Sequence, residues 1–155
     1  MASSAPHIVL ISVNDGERTV WNDKVVAAST VPGSLVEVDS AGKLAKVAAA
    51  AKPNSKIFVL ENPYAADDTL PSLDQAYATN DGCFYAYGQT GDVVYAVLAA
   101  SQTVAIGDPI VSTVTGGAVG KGTLDATVVT GALIGYADEA VTTTGATGRI
   151  KVRIA

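Results

Sequence analysis

Cysteine and histidine, which much of protein catalysis and metal binding requires, each occur only once in the 155-residue sequence. A lone Cys83 excludes an internal disulfide framework. One cysteine and one histidine, His7, cannot complete the nitrogen and sulfur ligands of a tetrahedral zinc site. A Ser-His-Asp triad would depend on His7 alone, and no Gly-x-Ser-x-Gly motif accompanies it. We therefore predict a protein that is not an enzyme and that carries no metal and no cofactor.

Charge and long apolar runs are also scarce. The 10 basic and 15 acidic residues give a formal net charge of −5, and the basic residues are not clustered. Because binding to phosphates depends on counterion release by clustered Lys and Arg, we predict no nucleic-acid partner. No apolar run approaches the roughly 20 residues that cross a bilayer, so we predict no membrane partner. The start, Met1–Pro6, lacks the basic and apolar regions of a secretory signal. We expect a soluble protein made in a reducing compartment.

The residues that are abundant are those of β-structure. Val, Thr and Ile together account for 44 residues and Gly for 15. The apolar runs are short and are bounded by Gly, Asp or Pro, which is typical of strands separated by tight turns. A chain of this length can bury about 68–70% of its unfolded surface. We predict a mainly β fold, a compact β-sandwich or barrel-like domain of short antiparallel strands with little helix.

The turn residues divide the chain into candidate hairpins. We predict three hairpins and one continuous buried strand, which are Ile8–Val13 with Glu17–Trp21, Val31–Val38 with Lys43–Val47, Cys83–Tyr87 with Asp92–Ala99, and the strand Ile57–Leu60. Residues 1–30 are predicted to be an N-terminal arm and first hairpin, and residues 31–155 a β-rich domain. A weak sequence similarity between residues 31–42 and 105–116 raises the alternative of two similar β units, 31–60 and 88–155.

Two segments depart from this pattern of strands and turns and are candidates for contacts with other proteins. Residues 61–80 contain two prolines and three aspartates and are predicted to be a long excursion with one helical turn, and such loops are usually functional. The first seven residues either dock on a neighbouring subunit or shell, adding a strand there, or form a disordered tail. The candidate contact residues are Pro6, His7, Ile8, Tyr64, Leu70 and Tyr77.

Several motifs have a functional and a structural interpretation. Residues 116–123 contain a Gly-Lys pair, but a phosphate-binding loop needs glycine at Thr115 and Ser or Thr at Gly122, so a turn is the better interpretation. Lys121 could be the modified lysine of a biotinyl- or lipoyl-type carrier domain, although its neighbours are not those of such a lysine. The loop carboxylates, Asp67, Asp68, Asp74 and Asp81, match no EF-hand and are expected to be solvated. The adjacent Asp138 and Glu139 would point to opposite faces of a strand.

The predicted hairpin around residues 88–91 carries Phe84, Tyr85, Tyr87 and Tyr95, four of the nine aromatic residues. Cross-strand packing is the ordinary role of such aromatic pairs. The alternative is a platform on which sugars stack, which would make the chain a carbohydrate-binding or adhesion-type β module of a virion.

Three segments carry a resemblance to a known family. Gly91–Ser112 (GDVVYAVLAASQTVAIGDPIVS), Ala132–Ala140 (ALIGYADEA) and the closing Arg149–Ala155 (RIKVRIA) resemble head decoration proteins of tailed bacteriophages, also called capsid cement proteins. The resemblance covers about residues 88–155 and, more loosely, 31–47. It implies a compact β domain that binds the outside of an assembled head, commonly as a homotrimer, and stiffens it. Its partners would be the major capsid protein and itself, and its location the outer surface of the virion.

The closing strand also has a pattern of its own. Arg149, Lys151 and Arg153 alternate with Ile150, Val152 and Ile154, which predicts one basic and one apolar face. This strand is either an amphipathic strand with a solvated basic face or a contact edge protected by its charges.

Overall fold

The protein is mainly β in the computed structural model, which describes residues 8–13, 19–48, 56–63, 69–123 and 133–155. Within these ranges the chain forms a short 3₁₀ helix, Ser72–Asp74, and thirteen strands. The strands are β1 Leu10–Ser12, β2 Trp21–Val25, β3 Leu35–Val38, β4 Leu44–Lys46, β5 Ile57–Val59, β6 Gly82–Tyr87, β7 Val93–Leu98, β8 Thr103–Val104, β9 Pro109–Ser112, β10 Val119–Lys121, β11 Leu133–Ala137, β12 Val141–Thr142 and β13 Gly148–Ile154. The prediction of a mainly β domain with little helix is confirmed.

The largest sheet of the described residues has six strands and closes into a small barrel. Its strand order is β1-β7-β10-β9-β11-β13, and β13 also pairs with β7, which closes the sheet on itself. The β7–β13 ladder is antiparallel and runs from Leu98–Gly148 to Val93–Arg153. Because β13 has a partner on each side, the prediction that it is a contact edge is wrong. The apolar face of the amphipathic alternative is confirmed, since Ile150, Val152 and Ile154 are all buried in the core, but of the basic face only Arg153 is exposed.

A second, five-stranded sheet has the order β2-β6-β5-β3-β4, and β8 pairs with β12 in a short ribbon. The predicted hairpin of β3 and β4 and the buried strand β5 are both confirmed. The strands of residues 31–60 all lie in this sheet, and those of residues 88–155 lie in the barrel and the ribbon. The first thirty residues contribute a strand to each sheet, β1 to the barrel and β2 to the second sheet.

The other two predicted hairpins are wrong. β1 pairs with β7 and β2 pairs with β6, so Ile8–Val13 and Trp21, the described ends of the first predicted hairpin, belong to different sheets, while residues 14–18 lie outside the described residues. β6 and β7 are likewise divided between the second sheet and the barrel. The turn between them is held by other strands, because Gly88 N–H donates to Lys56 O and Gly91 N–H donates to Ile154 O. Turn residues indicated the reversal of the chain but not the strand that pairs after it.

One apolar core joins the two sheets. Side chains of the barrel interior and of one face of the second sheet, including Leu35, Phe58 and Ala86, belong to a single buried cluster. The opposite face of the second sheet buries a further cluster that contains Cys83 and Tyr85. This division follows the two-residue period of a strand, in which successive side chains point to opposite faces.

Backbone hydrogen bonds also link the sheets directly. Gly117 N–H donates to Val47 O at 2.8 Å, and Leu35 N–H donates to Gly117 O at 2.8 Å. At a second joint, Val97 N–H donates to Gly33 O at 3.0 Å, and Gly33 N–H donates to Val59 O at 2.8 Å. The barrel and the second sheet therefore form one rigid body.

Candidate functional site

The predicted contact residues fall into three groups. Ile8 and Leu70 are about half exposed and are therefore accessible to a partner. Tyr77 is fully buried, so its prediction as a surface contact is wrong. Its hydroxyl donates to Glu61 O at 2.8 Å and accepts from Phe84 N–H at 3.3 Å, which gives the tyrosine a structural role inside the chain. Pro6, His7 and Tyr64 lie outside the described residues.

The described part of the 61–80 excursion is packed against the body of the protein. Leu73, within the predicted helical turn, is buried in the main core. Thr30 and Tyr77 exchange backbone hydrogen bonds of 3.1 and 2.9 Å, which anchor the end of the excursion to the segment before β3. The segment that follows Leu70 is therefore anchored at Tyr77.

The chain just before β1 contacts the beginning of the same excursion. Val9 is buried in the core, its N–H donates to the Glu61 carboxylate, and its carbonyl accepts from Tyr95 N–H at 2.6 Å. Ile8 thus precedes a residue that is bonded to both the excursion and β7. The structure therefore joins Val9 to Glu61 at the beginning of the excursion, and the contact role of Ile8 and Leu70 stays a prediction.

Two turns that sequence reasoning missed carry the most exposed large apolar side chains among the described residues, Ile106 at 72% and Val114 at 75%. The Ile106 turn is residues 105–108. Asp108 accepts a hydrogen bond from Ala105 N–H at 2.8 Å and forms an ion pair with Lys121 at 2.7 Å. The hydrogen bond from Lys121, followed by that from Ala105, lowers the pKa of Asp108, so its carboxylate stays charged and holds the turn at neutral pH.

The Val114 turn is residues 113–117. The Thr113 hydroxyl accepts from Thr115 N–H at 3.2 Å and donates to Ala118 O at 2.9 Å, so one side chain closes both ends of this turn. The two turns stand at opposite ends of β9, and the eight residue steps from Ile106 to Val114 span up to about 26 Å at roughly 3.3 Å per residue. The sequence signal was a single large apolar residue within each glycine turn.

The four aromatic residues of the predicted sugar platform do not share one exposed face. Tyr85 is buried, and its hydroxyl donates to Asp23 at 2.6 Å. Burial and then the nearby Asp23 carboxylate raise the pKa of Tyr85. Phe84 and Tyr95 pack against the main core, and only Tyr87 of the four is exposed, at 44%. The ordinary packing interpretation is therefore correct for three of them.

Exposed aromatic surface occurs instead at the edge of the second sheet. Trp21 on β2 lies opposite Tyr85 in the ladder, and Tyr87 meets the Tyr85 ring edge to face, with centroids 6.0 Å apart. Val20, Trp21 and Tyr87 are each about half exposed. We call these three residues the sheet-edge patch.

The lysine and glycine motif has a structural role. Residues 115–117 form part of a turn and Lys121 lies within β10, where its N–H donates to Gln102 Oε1 at 3.0 Å. Its ammonium group is paired with Asp108. Lys121 is thus not at a hairpin tip, which is the position that a carrier domain requires.

The carboxylates described in the structure are mostly engaged with cations or backbone amides. Asp138 pairs with Arg153 at 3.0 Å, and Glu139 pairs with Lys151 at 3.6 Å, so these neighbours form two separate ion pairs. Asp81 accepts from Ala78 N–H at 2.9 Å and lines an open depression of about 380 Å³ with Asn62, Tyr77 and Gly82. No group of three or more potential metal ligands occurs among the described residues, and no helix in this part of the chain could span a bilayer.

No protein-family model and no curated protein sequence matches the chain. The likeness to phage head decoration proteins therefore depends on the segments quoted above.

Proposed function

We propose that this chain is a structural capsid decoration protein, which binds the outer surface of an assembled phage head and bridges neighbouring capsid subunits. The observation that carries the proposal is the pair of rigid turns at opposite ends of β9, each presenting one large apolar side chain, Ile106 or Val114, to solvent. A bridging protein needs two separated points of contact on one stiff body. Each of these apolar side chains would lose contact with water when it is buried against a partner, and burial of apolar surface is the main favourable contribution to most protein association.

The architecture and the charge of the molecule support the same proposal. A closed barrel with a shared core and two backbone joints can transmit force between contact points without changing shape. The net charge of −5 suits the exterior of a head better than its DNA-filled interior. The proposed partners are the major capsid protein and further copies of this chain in a homotrimer, with the sheet-edge patch available for contacts between copies.

The test uses empty heads of the source phage that lack this protein. We would measure co-sedimentation of the protein with the heads and the temperature at which the heads disrupt. The wild type should bind and should raise that temperature. Ile106→Ser and Val114→Ser should each weaken binding or stabilisation about tenfold, since a central apolar contact contributes more than about 1 kcal/mol. Val38→Ser is the matched control, because Val38 is an exposed valine on β3 and belongs to neither turn.

The outcomes separate the parts of this proposal. Failure of the wild type to bind heads would contradict the decoration function itself. Full binding and stabilisation by both turn variants would show that the β9 turns are not the contact points. Cryo-EM density of decorated heads in which single copies make no mutual contact would contradict the trimer.

A carbohydrate-binding or adhesion module is the second candidate function. The exposed Trp21 beside Tyr87 favours it, because sugar rings stack on such aromatic faces. A glycan array probed with the wild type and with Trp21→Ala decides this alternative. Binding that is lost in the variant would support it, and absence of binding by the wild type would contradict it.

A further inference from the structure

Arg149 is a largely buried cation at the place where three segments of the chain meet. Its side chain is only 15% exposed, although the sequence pattern places it on the solvated basic face of β13. One guanidinium nitrogen donates to Pro32 O at 2.8 Å, and the other donates to Leu73 O. The guanidinium also lies 3.6 Å from the Asp74 carboxylate and 6.0 Å from the centre of the Tyr95 ring.

These contacts use the particular shape of arginine. The planar guanidinium carries five N–H donors in a fixed fork and can therefore reach two carbonyl oxygens on different segments at once. Burial lowers the pKa of Arg149, while the Asp74 carboxylate opposes that change, and arginine remains charged in proteins. A hydrogen bond to a charged donor is stronger than one between neutral groups.

The segment that Arg149 holds is a small closed loop, residues 70–75, which we call the latched loop. Gln75 Nε2 donates to Leu70 O at 3.0 Å, and Asp74 N–H donates to Pro71 O at 2.9 Å. These bonds make the loop rigid internally, but they do not tie it to the barrel. Arg149 on β13 ties the loop to the barrel at Leu73 and Asp74, and the Leu73 side chain enters the core beside it.

We propose that Arg149 is a positioning residue that latches this loop to the barrel and thereby presents Leu70, 47% exposed, as a preformed contact with the phage shell. The contact role rests on the proposed decoration function. The latch itself is a property of the isolated chain. The loop then behaves as part of the rigid body, so that binding does not have to order it.

The experiment compares Arg149→Met, Arg149→Lys and Arg153→Met. Methionine keeps the apolar stem but leaves Pro32 O and Leu73 O without their donor, whereas lysine can reach one of them. Arg153 is the matched control, because it lies on the same strand and forms an exposed ion pair with Asp138. Hydrogen exchange is measured on the free proteins, and co-sedimentation is measured with empty heads.

In Arg149→Met we expect the Asp74 amide to exchange about tenfold faster, which is the effect of losing about 1.4 kcal/mol of local stability, and head binding to weaken by a similar factor. Amides of β9 and β11 should keep their wild-type rates, which distinguishes release of the loop from general destabilisation. Arg149→Lys should fall between the wild type and Arg149→Met, and Arg153→Met should match the wild type in both measurements.

Each contrary result overturns a stated part of the inference. Wild-type exchange at Asp74 in Arg149→Lys and Arg149→Met would refute the latch, and Arg149→Lys alone decides this point if the methionine variant does not fold. Faster exchange with unchanged head binding would refute the contact role of the loop. Absence of head binding by the wild type would refute the decoration function and this contact role together, while the exchange data would still decide the latch.

Discussion

Gly117 in the barrel and Val47 beside the second sheet are joined by a hydrogen bond of 2.8 Å from amide to carbonyl. The joint favours a residue without a side chain. Gly117 has a φ of +79°, and a Cβ there would lie 3.1 Å from Ser34 Cβ and 3.2 Å from Lys46 Cγ. Any other residue at position 117 would be strained in its backbone and crowded against these two side chains.

Gly117→Ala should destabilise the protein more than Gly107→Ala does. Gly107 has a similar φ of +84° but open space around it, so its substitution costs only the backbone strain, about 1–2 kcal/mol. Gly117→Ala adds crowding at the joint, for which about 1–3 kcal/mol more is typical. Urea unfolding of both variants measures the difference, and equal losses in the two would show that the joint relaxes around the new methyl group.

Gly135→Ala should be among the most damaging single substitutions in the barrel. A Cβ at Gly135 would lie 2.1 Å from the carbonyl oxygen of Arg153 on the paired strand β13, so the two strands must separate. We expect a loss of about 3 kcal/mol or more in the free energy of unfolding. Gly145→Ala is the control, with open space and a change within about 0.5 kcal/mol. A decrease in melting temperature that is smaller for Gly135→Ala than for Gly145→Ala would contradict this prediction.

Cys83 should be unreactive in the folded protein. Its side chain is fully buried on β6, and burial raises the pKa of the thiol to about 12. At pH 8 only about one thiol in ten thousand is then ionised, and the thiolate is the reactive form. A thiol reagent such as DTNB should label the protein only in urea. Labelling in native buffer at the rate of the unfolded chain would contradict the burial of this group.

The raised pKa of the Cys83 thiol also leads to a prediction of how the stability of the protein changes at alkaline pH. The pKa of Cys83 is raised by folding, from 9.0 to about 12, so its contribution is complete below pH 9 and is lost as the pH rises towards 12. The stability difference between the wild type and Cys83→Ala should therefore be constant from pH 7 to 9 and should shrink above pH 9. The raised pKa of Tyr85 is caused mainly by burial and by Asp23, which both proteins share, so most of its effect cancels from the difference. A difference that stays constant up to pH 11 would contradict this prediction.

Local patterns in the sequence were sufficient to predict the class of the fold and several of its secondary-structure elements. The alternation of Ile150, Val152 and Ile154 with basic residues correctly predicted the apolar face of β13, because side chains on a strand alternate between its two faces. The β3–β4 hairpin and the helical turn in the excursion were also predicted from turn residues. These features depend on interactions between residues that are close together in the chain.

Strand partners and surfaces were decided only in the tertiary structure. The sequence joined Cys83–Tyr87 to Asp92–Ala99, whereas β7 pairs with β13, about fifty residues further along, and closes the barrel. The burial of Tyr77, the burial of Arg149 under the latched loop and the exposure of Ile106 and Val114 follow from that closure and from the packing of the second sheet. A residue type and its neighbours in sequence specify which side chains can share a face, but the choice of partner strand depends on contacts across the whole chain.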